Sequence, residues 1–185
     1  MKDLINNSLK DHSKVLQLID KSDIISAATM ILHAINQGKT VFWCGNGGSA
    51  SQANHLSAEL IGGMYQKKIS PFKSVCLNVD TAFITAWSND DSFDNIFVRQ
   101  LEAIGESGDI LIGLSTSGNS PNIVEAAKFA VSNKMKTISF TGNDGGKLGD
   151  YSDININIPI ESTQRIQEMH ILIGHILCDI IETSS

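Results

Sequence analysis

Hydrophobic and polar positions alternate along the chain with two different periods, which separate predicted helices from predicted strands. Within residues 3–20, apolar side chains recur about every one or two helical turns, which predicts a first helix. A second helix is expected to have Ser22 as its N-cap and to end before Gly38. These helices form an N-terminal part, residues 1–37, ahead of a core of residues 38–185.

Short apolar runs that are rich in β-branched residues predict buried strands at residues 39–44, 74–78, 109–114, 136–140 and 153–158. Helical patterns follow most of these runs, and the last one spans about residues 162–181. Strand, loop and helix, repeated about five times, predict an α/β fold whose parallel sheet carries helices on both faces. The strands contain few polar interruptions, which agrees with burial on both sides of the sheet.

The overall composition narrows the class of protein. A chain of 185 residues and 20.0 kDa fits a single domain over residues 1–185. The net charge of −6 and the pI near 5.2 argue against nucleic acid as a partner, because duplex binding needs clustered lysine and arginine. The longest apolar stretch, residues 171–178, is far shorter than the ~20 residues that span a bilayer, so no membrane contact is expected.

Cysteine usage and the first residues bear on the cellular compartment. Cys44, Cys76 and Cys178 are far apart and form no C-x-x-C motif, which is typical of free thiols in a reducing compartment. The first 23 residues carry charges throughout and lack the apolar segment of a signal peptide. We therefore expect a cytoplasmic protein.

Three loops rich in glycine, serine and asparagine follow predicted strands, at residues 45–50, 115–120 and 142–146. Ligands bind beyond the carboxyl ends of strands in such a sheet, so these loops predict an anion or sugar-phosphate site. Residues 115–120 offer four hydroxyls just before a helix that is expected to begin at Pro121, where a phosphate would meet oriented N–H groups. A turn with a simple helix cap is the plainer alternative.

Residues 45–50 also match the G-x-G-x-x-A pattern of dinucleotide-binding folds. That pattern expects an acidic residue ~20 positions further on, whereas the candidate Asp80 lies 30 residues beyond Ala50. The second phosphate-type loop at 115–120 favours one sugar phosphate lying across the sheet edge over a nicotinamide cofactor.

Two helices carry candidate metal ligands or acid–base groups. His55 and Glu59 are four residues apart and therefore share one helix face. The last helix is apolar nearly all round over residues 169–181, which predicts burial, yet it carries Gln167, Glu168, His170 and His175. Gln167 and His175 lie two turns apart. Imidazole and carboxylate suit Zn²⁺, and the same groups could act as acid and base without a metal. A solvated pair on the first helix and a hydrogen-bonded core histidine on the last are the plainer readings.

Taken in order, the motifs resemble one family over essentially the whole chain. They are Cys44-Gly-Asn-Gly-Gly-Ser49, His55-x-x-x-Glu59, Asn89-Asp90, Ser115-Thr-Ser-Gly-Asn-Ser120, Thr141-Gly-x-Asp-Gly-Gly-Lys147 and Arg165-Ile-Gln-Glu-Met-His-Ile171. This combination resembles the sedoheptulose 7-phosphate isomerases (phosphoheptose isomerases) of the sugar-isomerase (SIS) domain superfamily.

The resemblance implies a five-stranded parallel sheet between helices, a three-layer αβα sandwich, assembled as a homotetramer with active sites near subunit interfaces. The N-terminal helices carry more apolar surface than one small sheet requires, so we expect them to pack between subunits. The implied reaction converts sedoheptulose 7-phosphate to D-glycero-D-manno-heptose 7-phosphate. It opens the synthesis of nucleotide-activated heptoses for bacterial lipopolysaccharide or another surface polysaccharide.

The resemblance also implies roles for single residues. The family's zinc ligands, one ion per subunit, fall on His55, Glu59, Gln167 and His175. Glu59 is the expected base, acting through a cis-enediol, and His175 is the expected acid. The family's substrate contacts fall on Asn46, Gly47, Gly48, Ser49, Glu59, Asn89, Asp90, Ser115, Thr116, Ser117, Ser120 and Gln167.

Two alternatives and two departures accompany this interpretation. A non-catalytic tetramer that binds a replication initiator shares the fold, but it lacks Glu and His at the positions of Glu59 and His175; a sugar-phosphate sensor is the other alternative. Gly63 stands where the family usually has Arg, with Lys67 or Lys68 as a substitute charge. Gln164 stands where some members have Asp.

Overall fold

The structure, a computed structural model, describes residues 1–65 and 70–184. Its helices are α1 Lys2–Val15, α2 Lys21–Asn36, α3 Gly48–Gly62, α4 Thr81–Asp90, α5 Ile96–Ile104, α6 Pro121–Ser132, α7 Gly146–Gly149 and α8 Thr163–Ser184. Its strands are β1 Val41–Gly45, β2 Ser74–Cys76, β3 Ile110–Ser115, β4 Lys136–Gly142 and β5 Ile154–Ile158. Short 3₁₀ turns occupy Leu16–Leu18 and Phe93–Asn95.

The five strands form one parallel sheet in the order β2-β1-β3-β4-β5. This confirms the predicted α/β class. The order reverses between β1 and β3, because the chain leaves β1 first toward β2 and later returns to β3 on the other side. Such a reversal opens a crevice at the carboxyl ends of the two strands, which is where ligands bind in open α/β sheets.

Each face of the sheet carries its own hydrophobic core, as the alternation of side chains along a strand requires. Val41, Trp43 and Ile112 pack with apolar residues of α2, α3 and α8. Phe42 and Leu111 point to the opposite face and pack with residues of α5 and α6. The three layers of the αβα sandwich follow from this division.

The N-terminal helices differ slightly from their predicted bounds. Asp20, rather than Ser22, is the N-cap of α2: its carboxylate accepts the backbone N–H of Ser22 at 2.8 Å. Gly38 ends the helix as expected, with φ +72°, a conformation that glycine adopts without strain. The domain division at residues 37 and 38 stays a prediction.

Within residues 1–65 and 70–184, no helix is long and apolar enough to cross a membrane. The three cysteines, Cys44, Cys76 and Cys178, are free and buried.

Candidate active site

The hydroxyl-rich loop at residues 115–120 joins β3 to α6 at the carboxyl edge of the sheet. Pro121 is the first residue of α6, as predicted, and Ser120 is its N-cap. The Ser120 hydroxyl makes no capping hydrogen bond; it lies 3.0 Å from the hydroxyl of buried Ser115 instead. The plain capping alternative therefore does not explain this serine.

Close packing against the loop that follows β4 fixes the hydroxyl loop in place. A Cβ at Gly118 would overlap the backbone of Gly145, and Gly118 has φ +64°. The Asn119 side chain accepts the N–H of Lys147 at 3.1 Å, and the Gly118 carbonyl accepts the N–H of Leu148 at 2.8 Å. The Ser117 hydroxyl accepts the N–H of Asn119 and so shapes the turn.

Asparagines on neighbouring elements hold the loop that follows β1. The Asn78 amide accepts the N–H of Gly45 at 3.1 Å and donates to its carbonyl at 2.8 Å, which extends the pairing of β1 by one step. Asn46 exchanges two side-chain hydrogen bonds with Asn122 of α6. Of the predicted contacts in this loop, Ser49 is buried in the first turn of α3.

Helices α3 and α8 approach closely enough to share a site. A Cβ at Gly174 would overlap the side chain of Leu56, so only glycine permits this contact. One turn before His55, the Gln52 amide donates to the backbone carbonyl of Gln167 at 2.7 Å. Gln52 therefore ties together the two helices that carry the predicted ligands.

His55, Glu59 and His175 come together across this helix pair, and their ligand atoms lie within 4.8 Å of one another. His55 Nε2 is 2.8 Å from His175 Nε2 and 3.5 Å from Glu59 Oε1. The His55 side chain is 49% exposed and that of Glu59 24%, so the cluster opens to solvent. Two imidazoles and a carboxylate at this spacing form a donor set that fits one divalent cation such as Zn²⁺.

Gln167, the fourth predicted ligand, is on α8 two turns before His175, and its carboxamide lies beside Gly48, the first residue of α3. Its carboxamide nitrogen would come within 2.8 Å of a Cβ at Gly48. Glycine at position 48 thus leaves room for the Gln167 side chain beside the loop that follows β1. Its role as a metal ligand or substrate contact stays a prediction.

The plainer alternative of a hydrogen-bonded core histidine does not fit His175, which is only half-buried. The enclosed histidine is His170, which has no exposed surface and lies 2.9 Å from the Thr141 carbonyl through Nε2. Burial lowers the pKa of His170 to about 4, so this imidazole is neutral at pH 7. The hydrophobic pattern predicted a buried helix but did not show which of its two histidines is enclosed.

Asn89 and Asp90 end α4, and both are exposed. Asn89 donates to the Asp90 carboxylate at 2.8 Å, so their hydrogen bond joins them to each other. Their predicted substrate contacts stay predictions. Asp80, the acidic candidate of the dinucleotide alternative, is the N-cap of α4 and accepts the N–H of Phe83 at 2.9 Å.

Gly63, which stands where the family usually has Arg, ends α3 with φ +76°, a conformation that an arginine would adopt only with strain. The next two backbone N–H groups, of Met64 and Tyr65, donate to the Glu182 carboxylate at 2.6 and 3.0 Å. Lys67 and Lys68, named as substitutes for the missing charge, lie outside the described residues.

Three residues that position the site were not singled out from the sequence: Gln52, Asn78 and Asn122. Asn78 ends a predicted strand and Asn122 follows Pro121, so their places in the pattern were visible. Their partners lie 33 and 76 residues away along the chain, and sequence pattern alone does not report pairings of that range.

Comparisons with known proteins agree with this geometry. Residues 6–142 match the family model described as SIS domain. The phosphoheptose isomerase of Nitratiruptor sp. is 41% identical over 97% of both chains, and that of Clostridium acetobutylicum is 44% identical over 96% of this chain and 91% of its own.

Solved structures extend the likeness to three dimensions. A phosphoheptose isomerase from Neisseria gonorrhoeae superposes with a TM-score of 0.92 at 37% identity, covering 98% of each chain. One from Francisella tularensis has a TM-score of 0.93 at 34% identity over 98% of this chain and 97% of its own. The chain belongs to the SIS domain family and, within it, to the phosphoheptose isomerases.

Proposed function

We propose that this chain isomerises sedoheptulose 7-phosphate to D-glycero-D-manno-heptose 7-phosphate, the first step toward nucleotide-activated heptoses. The observation that carries the proposal is the convergence of His55 and Glu59 of α3 with His175 of α8. Helix α3 follows the glycine loop, and the hydroxyl loop ends the neighbouring strand β3 at the same edge of the sheet. One region supplies groups that move protons, and the other supplies donors for a phosphate. A ketose phosphate needs both, some distance apart.

The proton chemistry falls to Glu59 and His175. Glu59 removes the proton from C1 of the open-chain ketose, and its carboxyl, which exchanges with solvent, delivers a proton to C2 of the cis-enediol. His175 transfers protons at the sugar oxygens, so that the C2 carbonyl becomes a hydroxyl as the C1 hydroxyl becomes the aldehyde. Since Glu59 Oε1 faces His55, the second carboxylate oxygen is the one available for the carbon-bound proton.

A single Zn²⁺ per subunit is part of the proposal. His55, Glu59 and His175 would hold it, with Gln167 of α8 as the fourth ligand. When bound, such an ion supplies electrostatic stabilisation to the carbonyl oxygen as negative charge develops on it. His55 contributes by holding its neighbours at the spacing that one cation needs.

The remote phosphate binds at the hydroxyl loop. Ser115, Thr116, Ser117 and Ser120 supply hydroxyl donors beside the first turn of α6, whose positive end favours an anion. Binding of the phosphate orients the reacting carbons over Glu59. The binding energy at the phosphate therefore raises the rate of proton transfer. Further contacts are assigned to Asn46, Gly47, Gly48, Ser49, Asn89, Asp90 and Gln167.

The proposal includes a homotetramer in the cytoplasm. Exposed apolar side chains along α1 support an interface: Leu4 is 72% exposed and Leu9 63%. The three free cysteines agree with a reducing compartment. Sedimentation at micromolar concentration tests the assembly, and a monomer would contradict it.

Turnover of sedoheptulose 7-phosphate by the zinc-loaded protein tests the function directly. The expected product is an aldose phosphate, formed in the presence of Zn²⁺ and lost with chelator. Tight binding of the sugar phosphate without turnover would favour a sensor. Failure of both, with capture of a replication initiator, would favour the non-catalytic alternative.

A further inference from the structure

A pair of asparagines bridges the crevice between β1 and β3. The Asn46 amide nitrogen donates to Oδ1 of Asn122 at 2.8 Å, and the Asn122 amide nitrogen donates back to Oδ1 of Asn46 at 2.9 Å. Asn46 follows β1, whereas Asn122 is the second residue of α6 and is 1% exposed. The pair therefore lies where the strand order reverses, at the place in this fold where ligands bind.

The reciprocal geometry fixes the orientation of the Asn46 side chain. An amide presents an oxygen on one side and nitrogen on the other, and a half-turn exchanges them. Two simultaneous bonds to Asn122 couple the two amides: neither side chain can exchange its oxygen and nitrogen alone, and both amides are held in one plane. Each amide then keeps one N–H and one oxygen lone pair, and the Asn46 amide is held in a fixed place and plane before a ligand arrives.

Asn122 is not needed to begin α6. The carbonyl of Ser120 accepts the backbone N–H groups of Ile123 at 3.1 Å and Val124 at 3.0 Å, and Pro121 fixes the first helical residue. The Asn122 side chain instead reaches across to the neighbouring loop. Burying an amide leaves it in need of a partner, and here Asn46 supplies both a donor and an acceptor.

We propose that Asn122 is a positioning residue of the isomerase site: it sets the orientation of Asn46 and holds the loop after β1 against the start of α6. The inference rests on the proposed function, in which Asn46 contacts the sugar phosphate. Asn122 itself touches Asn46, not the sugar. Its effect is preorganisation, since the donor need not be ordered when the substrate arrives.

A double-mutant cycle tests the coupling. Asn122→Ala is expected to lower kcat/KM about tenfold, the change expected when one hydrogen-bonded orientation is lost. The double variant Asn46→Ala, Asn122→Ala is expected to be no worse than Asn46→Ala alone, because Asn122 acts only through Asn46. Asn133→Ala is the matched control at the other end of α6, where its amide bonds the Phe129 carbonyl at 2.9 Å, and it should retain wild-type kinetics.

Asn122→Asp separates positioning from folding. The aspartate keeps the size of the side chain and an acceptor for Asn46, and a negative charge suits the start of a helix, but it cannot return the second bond. We expect a folded protein whose kcat/KM falls less than that of Asn122→Ala, because one of the two bonds that hold Asn46 remains. If Asn122→Ala does not fold, the cycle is built with Asn122→Asp.

Inhibition by inorganic phosphate distinguishes positioning from general disorder of the crevice. The inhibition constant is expected to stay within about twofold of wild type in Asn122→Ala, because the hydroxyl loop is held by other contacts. A constant that weakens in step with kcat/KM, losses that multiply in the double variant, or unchanged kcat/KM would each overturn the inference. If the wild type shows no turnover, the proposed function fails, and the same cycle read by calorimetric binding of sedoheptulose 7-phosphate decides the inference.

Discussion

The hydroxyl loop and the His55–Glu59–His175 cluster form the two regions of the site, and they are built differently. The loop is continuous in sequence and is held by buried contacts to the loop after β4. The cluster joins side chains from two helices that are 120 residues apart, and it is open to solvent. A rigid phosphate-binding loop and a more exposed acid–base cluster suit a reaction in which protons move between the sugar and the side chains.

Removing the carboxylate of Glu59 is expected to have the largest effect. Glu59→Gln keeps the shape of the side chain but cannot accept a proton, so kcat should fall by roughly 10³-fold, within the range of general acid–base catalysis. Calorimetry should show sedoheptulose 7-phosphate binding within a few-fold of wild type. Equal loss of binding and turnover would mean that substrate binding and proton transfer are not separated between the hydroxyl loop and the cluster.

Breaking the cluster at His55 is expected to weaken metal binding and activity together. His55→Ala removes the imidazole closest to both partners, and we expect a loss of ~10–100-fold in zinc affinity, measured by competition with a chromophoric chelator. His33→Ala, which removes an exposed histidine of α2, is the control. Zinc affinity that is unchanged in His55→Ala would place the metal elsewhere.

Weakening phosphate binding at the hydroxyl loop should raise KM more than it lowers kcat. Ser120→Ala removes a hydroxyl that makes no capping bond, so the fold should tolerate the change. A hydrogen bond to a charged group contributes about 1.5–3 kcal/mol, so KM should rise about 10-fold or more. Ser132→Ala, at the exposed end of the same helix, serves as the control. A fall in kcat at constant KM would mean that Ser120 acts in the chemical step and not in phosphate binding.

Acid is expected to lower the free energy of unfolding through His170, whose imidazole lies 2.9 Å from the carbonyl of Thr141 in β4. Because its pKa is about 4 in the folded protein and near 6.5 unfolded, the unfolded state binds an extra proton between these values. Its contribution to stability is therefore complete above about pH 6.5 and is lost as the pH falls toward 4, up to about 3 kcal/mol. Unfolding in urea, measured from pH 7.5 to 4.5, should show a shallower decline for His170→Gln than for wild type. Parallel curves would contradict this role.

The sequence predicted the regular elements well because their causes are local. Runs of β-branched residues named all five strands to within a few residues, and Pro121 marked the start of α6. The hydroxyl loop was visible for the same reason, since its residues are contiguous. Which side of α8 faces the sheet depends on packing with α3, so the burial of His170 rather than His175 was not predictable from periodicity.

Pairings across the chain marked the limit of sequence reasoning. The spacing of His55 and Glu59 showed that they share a helix face. Donor chemistry grouped them with His175 as a hypothesis, and only the resemblance assigned all of them to one site. The Asn46–Asn122 pair and the bond from Gln52 to Gln167 left no trace in the pattern of hydrophobic positions. These contacts connect elements that become neighbours only when the sheet forms.

Proton exchange at carbon tests the central claim most directly. Wild-type, zinc-loaded protein is incubated with sedoheptulose 7-phosphate in D₂O, and the aldose product is read by NMR. A carboxylate that takes the proton from C1 and returns one to C2 exchanges with solvent, so deuterium should appear at C2 with wild type and be absent with Glu59→Gln, which still binds the sugar. Equal deuterium incorporation by both proteins would contradict the assignment of Glu59 as the base.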